Sequence, residues 1–129
     1  MNGKVVHFEI PAANLKRAQF FYKDIFGWQM NDVEMADGTY TMVGTAPTDQ
    51  NGRLTEPGAI NGGMMKKRKP FTGPIVTVQV DEIDDALKDV AKHGGKTVTK
   101  KTAMGQYGFF GYFKDSEGNL MGLYQAPDK

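Results

Sequence analysis

One spacing constrains this chain more than any other feature: a strand-then-helix pattern recurs 68 positions further on (75 − 7 = 68) without a gap. The first copy begins at Val5-Val6-His7-Phe8-Glu9-Ile10, where apolar and polar residues alternate. Strand side chains have period two, so Phe8 and Ile10 are expected on one face and His7 and Glu9 on the other. The strand is expected to end at Pro11. Asn14 then caps a helix, Leu15, Ala18, Tyr22 and Ile25 follow at helical spacing, and Gly27 closes it in the left-handed conformation. The second copy begins at Ile75-Val76-Thr77-Val78. Its helix is expected to be capped by Asp81, to bury Ile83, Ala86, Leu87, Val90 and Ala91, and to end at Gly94-Gly95, with His93 as a surface cap. At the fixed offset His7 falls on Ile75, Leu15 on Ile83, Tyr22 on Val90 and Gly27 on Gly95.

Three strands are expected after each helix. In the first half they are 28–34 and 39–44, joined at Asp37-Gly38, and the glycine-rich 59–65 after a polar loop. In the second half they are 96–101, 107–114 and 120–125, with a hairpin at 115–119 where Gly118 supplies the permissive backbone. The expected fold class is α+β: two tandem βαβββ modules, with curled sheets around a cleft and helices outside. One domain is expected over 1–129, with module one at about 4–65, a linker at 66–73 and module two at 74–126.

Composition narrows the function. The chain has no cysteine, which excludes disulfides, thiol catalysis and cysteine-ligated metals. The net charge of +1 gives no field to attract nucleic acid, and Lys66-Lys67-Arg68-Lys69 before Pro70 reads as a solvated linker. The N-terminus lacks the apolar core of a signal peptide, and no apolar run approaches the ~20 residues of a membrane span. A cytoplasmic protein without membrane or nucleic-acid partners is expected.

The residues His7-Phe8-Glu9-Ile10 through Phe21-Tyr22 to Phe26-Gly27-Trp28, and Phe113-Lys114-Asp115-Ser116-Glu117-Gly118-Asn119 through Leu123-Tyr124-Gln125, resemble the vicinal oxygen chelate superfamily: glyoxalase I, bleomycin-resistance proteins and extradiol dioxygenases. The usual proline of the last turn is Ser116 here. The resemblance implies paired βαβββ modules and commonly a homodimer, here expected to bury more than ~1,000 Å². It also implies metal ligands on the first and last strands of both modules. The first-strand position falls on His7. Its counterpart falls on Ile75, the last-strand position of module two on Gly122, and that of module one among Asn61, Gly62, Gly63 and Met64. His7 is therefore the only matching ligand, and no cofactor is expected, with a divalent metal as the alternative.

His7 and Glu9 carry the ionisable chemistry. Their α-carbons should lie about 6.6 Å apart on one face. The pair can wall a pocket, work as acid and base, or form part of an atypical metal site. Trp28, Tyr40, Met42, Phe109 and Tyr112 are expected to add a flat apolar surface, and Thr77 and Gln79 polar contacts. The leading expectation is a metal-independent small-molecule-binding protein with a mostly apolar cleft. Its rivals are a lyase or isomerase using His7 and Glu9 as acid and base or as part of an atypical metal site, and a partner-binding module with a vestigial cleft.

Overall fold

A computed structural model describes residues 2–35 and 38–128. The chain divides into two compact units, one of His7–Pro74 and the other of Ile75–Lys129 with the N-terminal residues to Val6. The first contains β1 (Val5–Ala12, whose first two residues group with the second unit), α1 (Leu15–Phe26), β2 (Gln29–Met35), β3 (Gly38–Gly44) and β4 (Gly62–Lys66). Its lateral order is β2-β3-β4-β1; β1 runs parallel to β4 and the other pairs are antiparallel. The second contains β5 (Ile75–Gln79), α2 (Ile83–Lys92), β6 (Lys96–Ala103), a 3-10 turn (Gly105–Tyr107), β7 (Phe109–Lys114) and β8 (Leu120–Gln125). Its order is β6-β7-β8-β5, again with first and last strands parallel. The fold is α+β with two βαβββ modules, and the offset has a physical counterpart. Glu9 stands opposite Gly63 on β4, and Thr77, its equivalent, stands opposite Gly122 on β8. Of the expected β2–β3 turn, Asp37 lies outside the described residues. No helix among those residues is long and apolar enough to cross a membrane.

Local chemistry explains the helices. The Asn14 side chain accepts from the Arg17 amide at 3.0 Å, and Gly27 at φ 72° closes α1. A polar strut ties α1 to its sheet. Gln19 donates to Asp32 (2.8 Å) and to the fully buried Thr41 (2.9 Å), and Thr41 donates to Asp32. The Thr41 bond, then the Lys16 bond, hold the Asp32 carboxyl below the usual carboxylate range. Beside the strut, Trp28 stacks on Tyr22 with centroids 5.0 Å apart and tilts against Phe8 at 5.7 Å. The second unit has an apolar core instead, in which Ile83, Leu87 and Leu123 are buried and Val80, Ala86, Phe109 and Phe113 pack around them.

Several expected boundaries move. Strand β1 continues through Pro11 to Ala12. The Ala12 carbonyl accepts from Lys67, so the polar groups of Ala12 face β4 and the missing N–H of Pro11 falls on the other edge. The cap of α2 is Glu82 rather than Asp81, because Glu82 accepts from the Asp84 amide while Lys101 holds it at 2.9 Å. Strand β4 is shorter than expected, and β7 starts only after the 3-10 turn and Gly108.

Candidate ligand-binding site

The alternation of β1 sorts its side chains. Phe8 and Ile10 share a face with the α1 strut, because Ile10 lies in one cross-strand row with Met64, Thr41 and Asp32. His7 and Glu9 therefore point to the opposite face. The row through Glu9 continues across Gly63, Met42 and Asn31; two residues along each strand, Pro11 pairs with Met65 and Tyr40 with Val33. Met42 is 45% exposed on this face.

Tyr40 links the two ionisable residues. Its ring lies across Gly63, where an added Cβ would stand on the hydroxyl and on ring carbons Cζ and Cε2. Its hydroxyl donates to Glu9 Oε2 at 2.7 Å and lies 2.9 Å from His7 Nε2. A phenol has one proton; with that proton given to Glu9, His7 must donate from Nε2, which leaves Nδ1 as the nitrogen with a lone pair. Glu9 is only 5% exposed and makes contacts beyond this one. Burial pushes the His7 imidazole below its ordinary value of 6.5, and the Glu9 charge pulls it partway back. The arrangement is a carboxylate, a phenol and a neutral imidazole in one hydrogen-bonded line. It can present donors and acceptors to a polar group of a ligand, or pass a proton along the line.

The second unit carries the same frame without the ionisable groups. Ile75 and Thr77 take the places of His7 and Glu9. Tyr112 stands opposite Gly122 as Met42 stands opposite Gly63, so Phe110, two residues before Tyr112, takes the place of Tyr40, two residues before Met42. Gly122 is required there for a similar reason as Gly63: a Cβ would meet Thr77 Oγ1 at 2.6 Å. Thr77, Gln79, Phe110 and Tyr112 share one face, with Phe110 edge-on to Tyr112 at 5.9 Å.

Of the residues singled out from sequence, His7, Glu9, Tyr40 and Met42 come together on one face of the first unit, and Thr77, Gln79 and Tyr112 on one face of the second. Two do not join them. Trp28 stacks on Tyr22, on the helix side with Phe8. Phe109 packs under α2 beside Leu123, with the Lys101 ammonium 4.5 Å from its ring centroid. Sequence reasoning placed Tyr40 only as an apolar wall and missed Phe110; keeping period two from Tyr112 would have found Phe110. A groove of about 370 Å³ opens elsewhere, at the junction of β1 and α1, lined by Pro11, Asn14, Arg17, Phe21 and Lys67 among others.

Comparison with known proteins places this geometry. The family model described as Glyoxalase/Bleomycin resistance protein/Dioxygenase superfamily matches residues 4–123. The chain is 30% identical over 134 residues to a glyoxylase-like domain-containing protein of Didymella fabae, covering 100% of this chain and 98% of that one. It is 26% identical over 131 residues to the mitochondrial methylmalonyl-CoA epimerase of Homo sapiens, covering 96% of this chain and 74% of that protein. Among solved structures, a hypothetical protein from Bacillus halodurans C-125 matches with a TM-score of 0.70 at 12% identity, over 100% of this chain and 98% of that one. A variant Streptomyces coelicolor methylmalonyl-CoA epimerase in complex with 2-nitronate-propionyl-CoA matches with a TM-score of 0.69 at 15% identity, over 99% and 100%. At these identities the structural likeness speaks for the fold.

Proposed function

The chain belongs to the Glyoxalase/Bleomycin resistance protein/Dioxygenase superfamily, and from that premise we propose that it is a metal-independent small-molecule-binding member whose polar anchor is His7, Tyr40 and Glu9. One observation carries this reading: Tyr40 lies across Gly63 and bonds both ionisable residues. A side chain on Gly63 aimed at a metal would need the space that the Tyr40 ring fills. The other donors support the same reading. Asn61 Oδ1 is engaged by the Thr45 amide at 2.9 Å, Ile75 offers no lone pair, and Gly122 has no side chain. Among the described residues no group of three His, Cys, Asp or Glu could hold an ion. The polar line, beside Met42 and Met65, suits a ligand with a carbonyl or hydroxyl group on an apolar body.

Native mass spectrometry of chain purified without tag or chelator tests the reading. The expected result is one organic adduct per chain that survives chelator treatment and is lost in the Tyr40→Phe and His7→Ala variants. An adduct that chelator removes, or one indifferent to both substitutions, contradicts it.

A second reading is favoured by the bare Nδ1 of a neutral His7. A base at that nitrogen takes a proton from substrate carbon, the Nε2 proton passes to Tyr40, and the phenol proton passes to Glu9. The C–H electron pair is held as the enolate of the carbonyl, and return of a proton from solvent to the other face of that carbon completes an isomerisation, which suits an acyl-thioester, the substrate class of the epimerase relatives. Wash-out of the α-proton of methylmalonyl-CoA in deuterated buffer containing chelator would support it, and no exchange above the uncatalysed rate would exclude that substrate.

A further inference from the structure

The groove at the junction of β1 and α1 is lined by none of His7, Tyr40 and Glu9, and its chemistry differs from theirs. It encloses about 370 Å³, at the lower end of the volumes that hold small molecules. Its wall is largely apolar. Pro11 and Ala12 are buried at the end of β1, and on α1 Phe21 stands edge-on to Tyr22 with centroids 5.2 Å apart.

Two cations border this wall. Arg17 sits in the first turn of α1, where its amide donates to Asn14 Oδ1 at 3.0 Å. Lys67 follows β4, where its amide donates to the Ala12 carbonyl at 2.9 Å. The backbone of each cation is thus tied to a residue that itself lines the groove. Neither side chain has an ion pair or hydrogen bond among the described residues, and no carboxylate lines the groove. The neighbouring Lys16, by contrast, is engaged by Asp32 at 3.2 Å. The one carboxylate of α1 is Asp24, seven residues and roughly 10 Å past Arg17. Lys67 also belongs to the run Lys66-Lys67-Arg68-Lys69, so the local potential is positive although the chain carries only +1.

An apolar wall bordered by unpaired cations is complementary to one kind of occupant. We propose that this groove binds a small organic anion, with an apolar body against Phe21 and Tyr22 and a carboxylate or phosphate held by Arg17 and Lys67. The Arg17 guanidinium can take two oxygens of either group at once, and Lys67 adds a point charge. A neutral ligand would leave both cations unpaired. An inorganic anion would leave the apolar wall in water.

NMR titration of the nitrogen-labelled full chain tests this, with phenyl phosphate and phenylacetate as probes and inorganic phosphate and benzyl alcohol as controls. Saturable shifts are expected at the amides of Ala13, Arg17, Ala18 and Lys67, with a Kd on the order of millimolar for probes of this size. The tighter probe identifies the preferred head group, and both controls should bind more weakly than either probe. Arg17→Gln and Lys67→Gln should each weaken binding roughly fivefold, and added salt should weaken it as well. Both side chains are exposed, and the amide spectrum checks that each variant is folded. His7→Ala should leave the affinity unchanged, so the outcome is independent of what binds beside His7. Failure to saturate at ten times the expected Kd overturns the proposal. So does a control that binds as tightly as the probes, or an affinity that ignores both substitutions or is lost in His7→Ala.

Discussion

Replacing Gly63 by alanine tests the placement of Tyr40. An added Cβ stands on the Tyr40 hydroxyl and its two nearest ring carbons. The β4 backbone cannot recede, because Gly63 is held in register with Glu9 on one side and Met42 on the other. Either the ring stays and the site is overpacked, or the ring leaves and gives up its bonds to His7 and Glu9. Either route costs about 1–3 kcal/mol: overpacking about 1–3, and a charge-assisted hydrogen bond with its neighbour about 1.5–3. In a Tyr40→Ala background the space is open, and the same substitution should cost nothing or gain about 0.5 kcal/mol from the stiffer strand backbone. The double-mutant cycle should therefore give a coupling of about 1–3 kcal/mol. Urea unfolding of the four proteins, followed by Trp28 fluorescence and circular dichroism, measures it. A cost under about 1 kcal/mol for Gly63→Ala alone, or equal costs in both backgrounds, would refute the reasoning.

Other outcomes follow from the same site. Tyr40→Phe keeps the ring but removes the bridging hydroxyl, so the melting temperature should fall by about 3–6 °C; an unchanged value would contradict the bridge. The folded His7 imidazole titrates below 6.5, so the unfolded chain takes up that proton first as pH falls. The His7 contribution to stability is therefore full above about pH 6.5 and is lost as pH drops through that value toward the folded one, and His7→Gln should flatten this arm of the urea-midpoint profile. Glu9→Gln removes the charge that raises His7, so the His7 NMR titration midpoint should move further down, and an upward move would refute the coupling. Asn14→Ala loses the cap of α1 and should cost about 1 kcal/mol without changing the His7 titration.

The repeat was legible because side-chain period and loop length are written in the chain. A constant offset over β1 and α1 placed Ile75 and Thr77 at the His7 and Glu9 positions before any pairing was known. The bridge was not legible, because Tyr40 is 31 residues from Glu9 and reaches it only through the register of β3 on β4 and β4 on β1. Glycine gave the usable signal: Gly62 and Gly63 leave room for Phe8 on one face of β4 and Tyr40 on the other. Phe109 turns away from Tyr112 for a local reason. The two are three residues apart within β7, so period two puts them on opposite faces and Phe109 packs under α2. Trp28 failed differently. It follows the left-handed Gly27, and the turn swings its ring back onto Tyr22.

Elemental analysis of the chain purified without affinity tag or chelator bears most directly on the central claim. His7 and Glu9 are both bonded to Tyr40, and a site of that kind would leave a divalent ion mostly water-coordinated and weakly held. The account predicts less than about one tenth of an equivalent of zinc, nickel, iron or manganese, unchanged in His7→Ala and Glu9→Ala. Near-stoichiometric metal that disappears in either variant would contradict it.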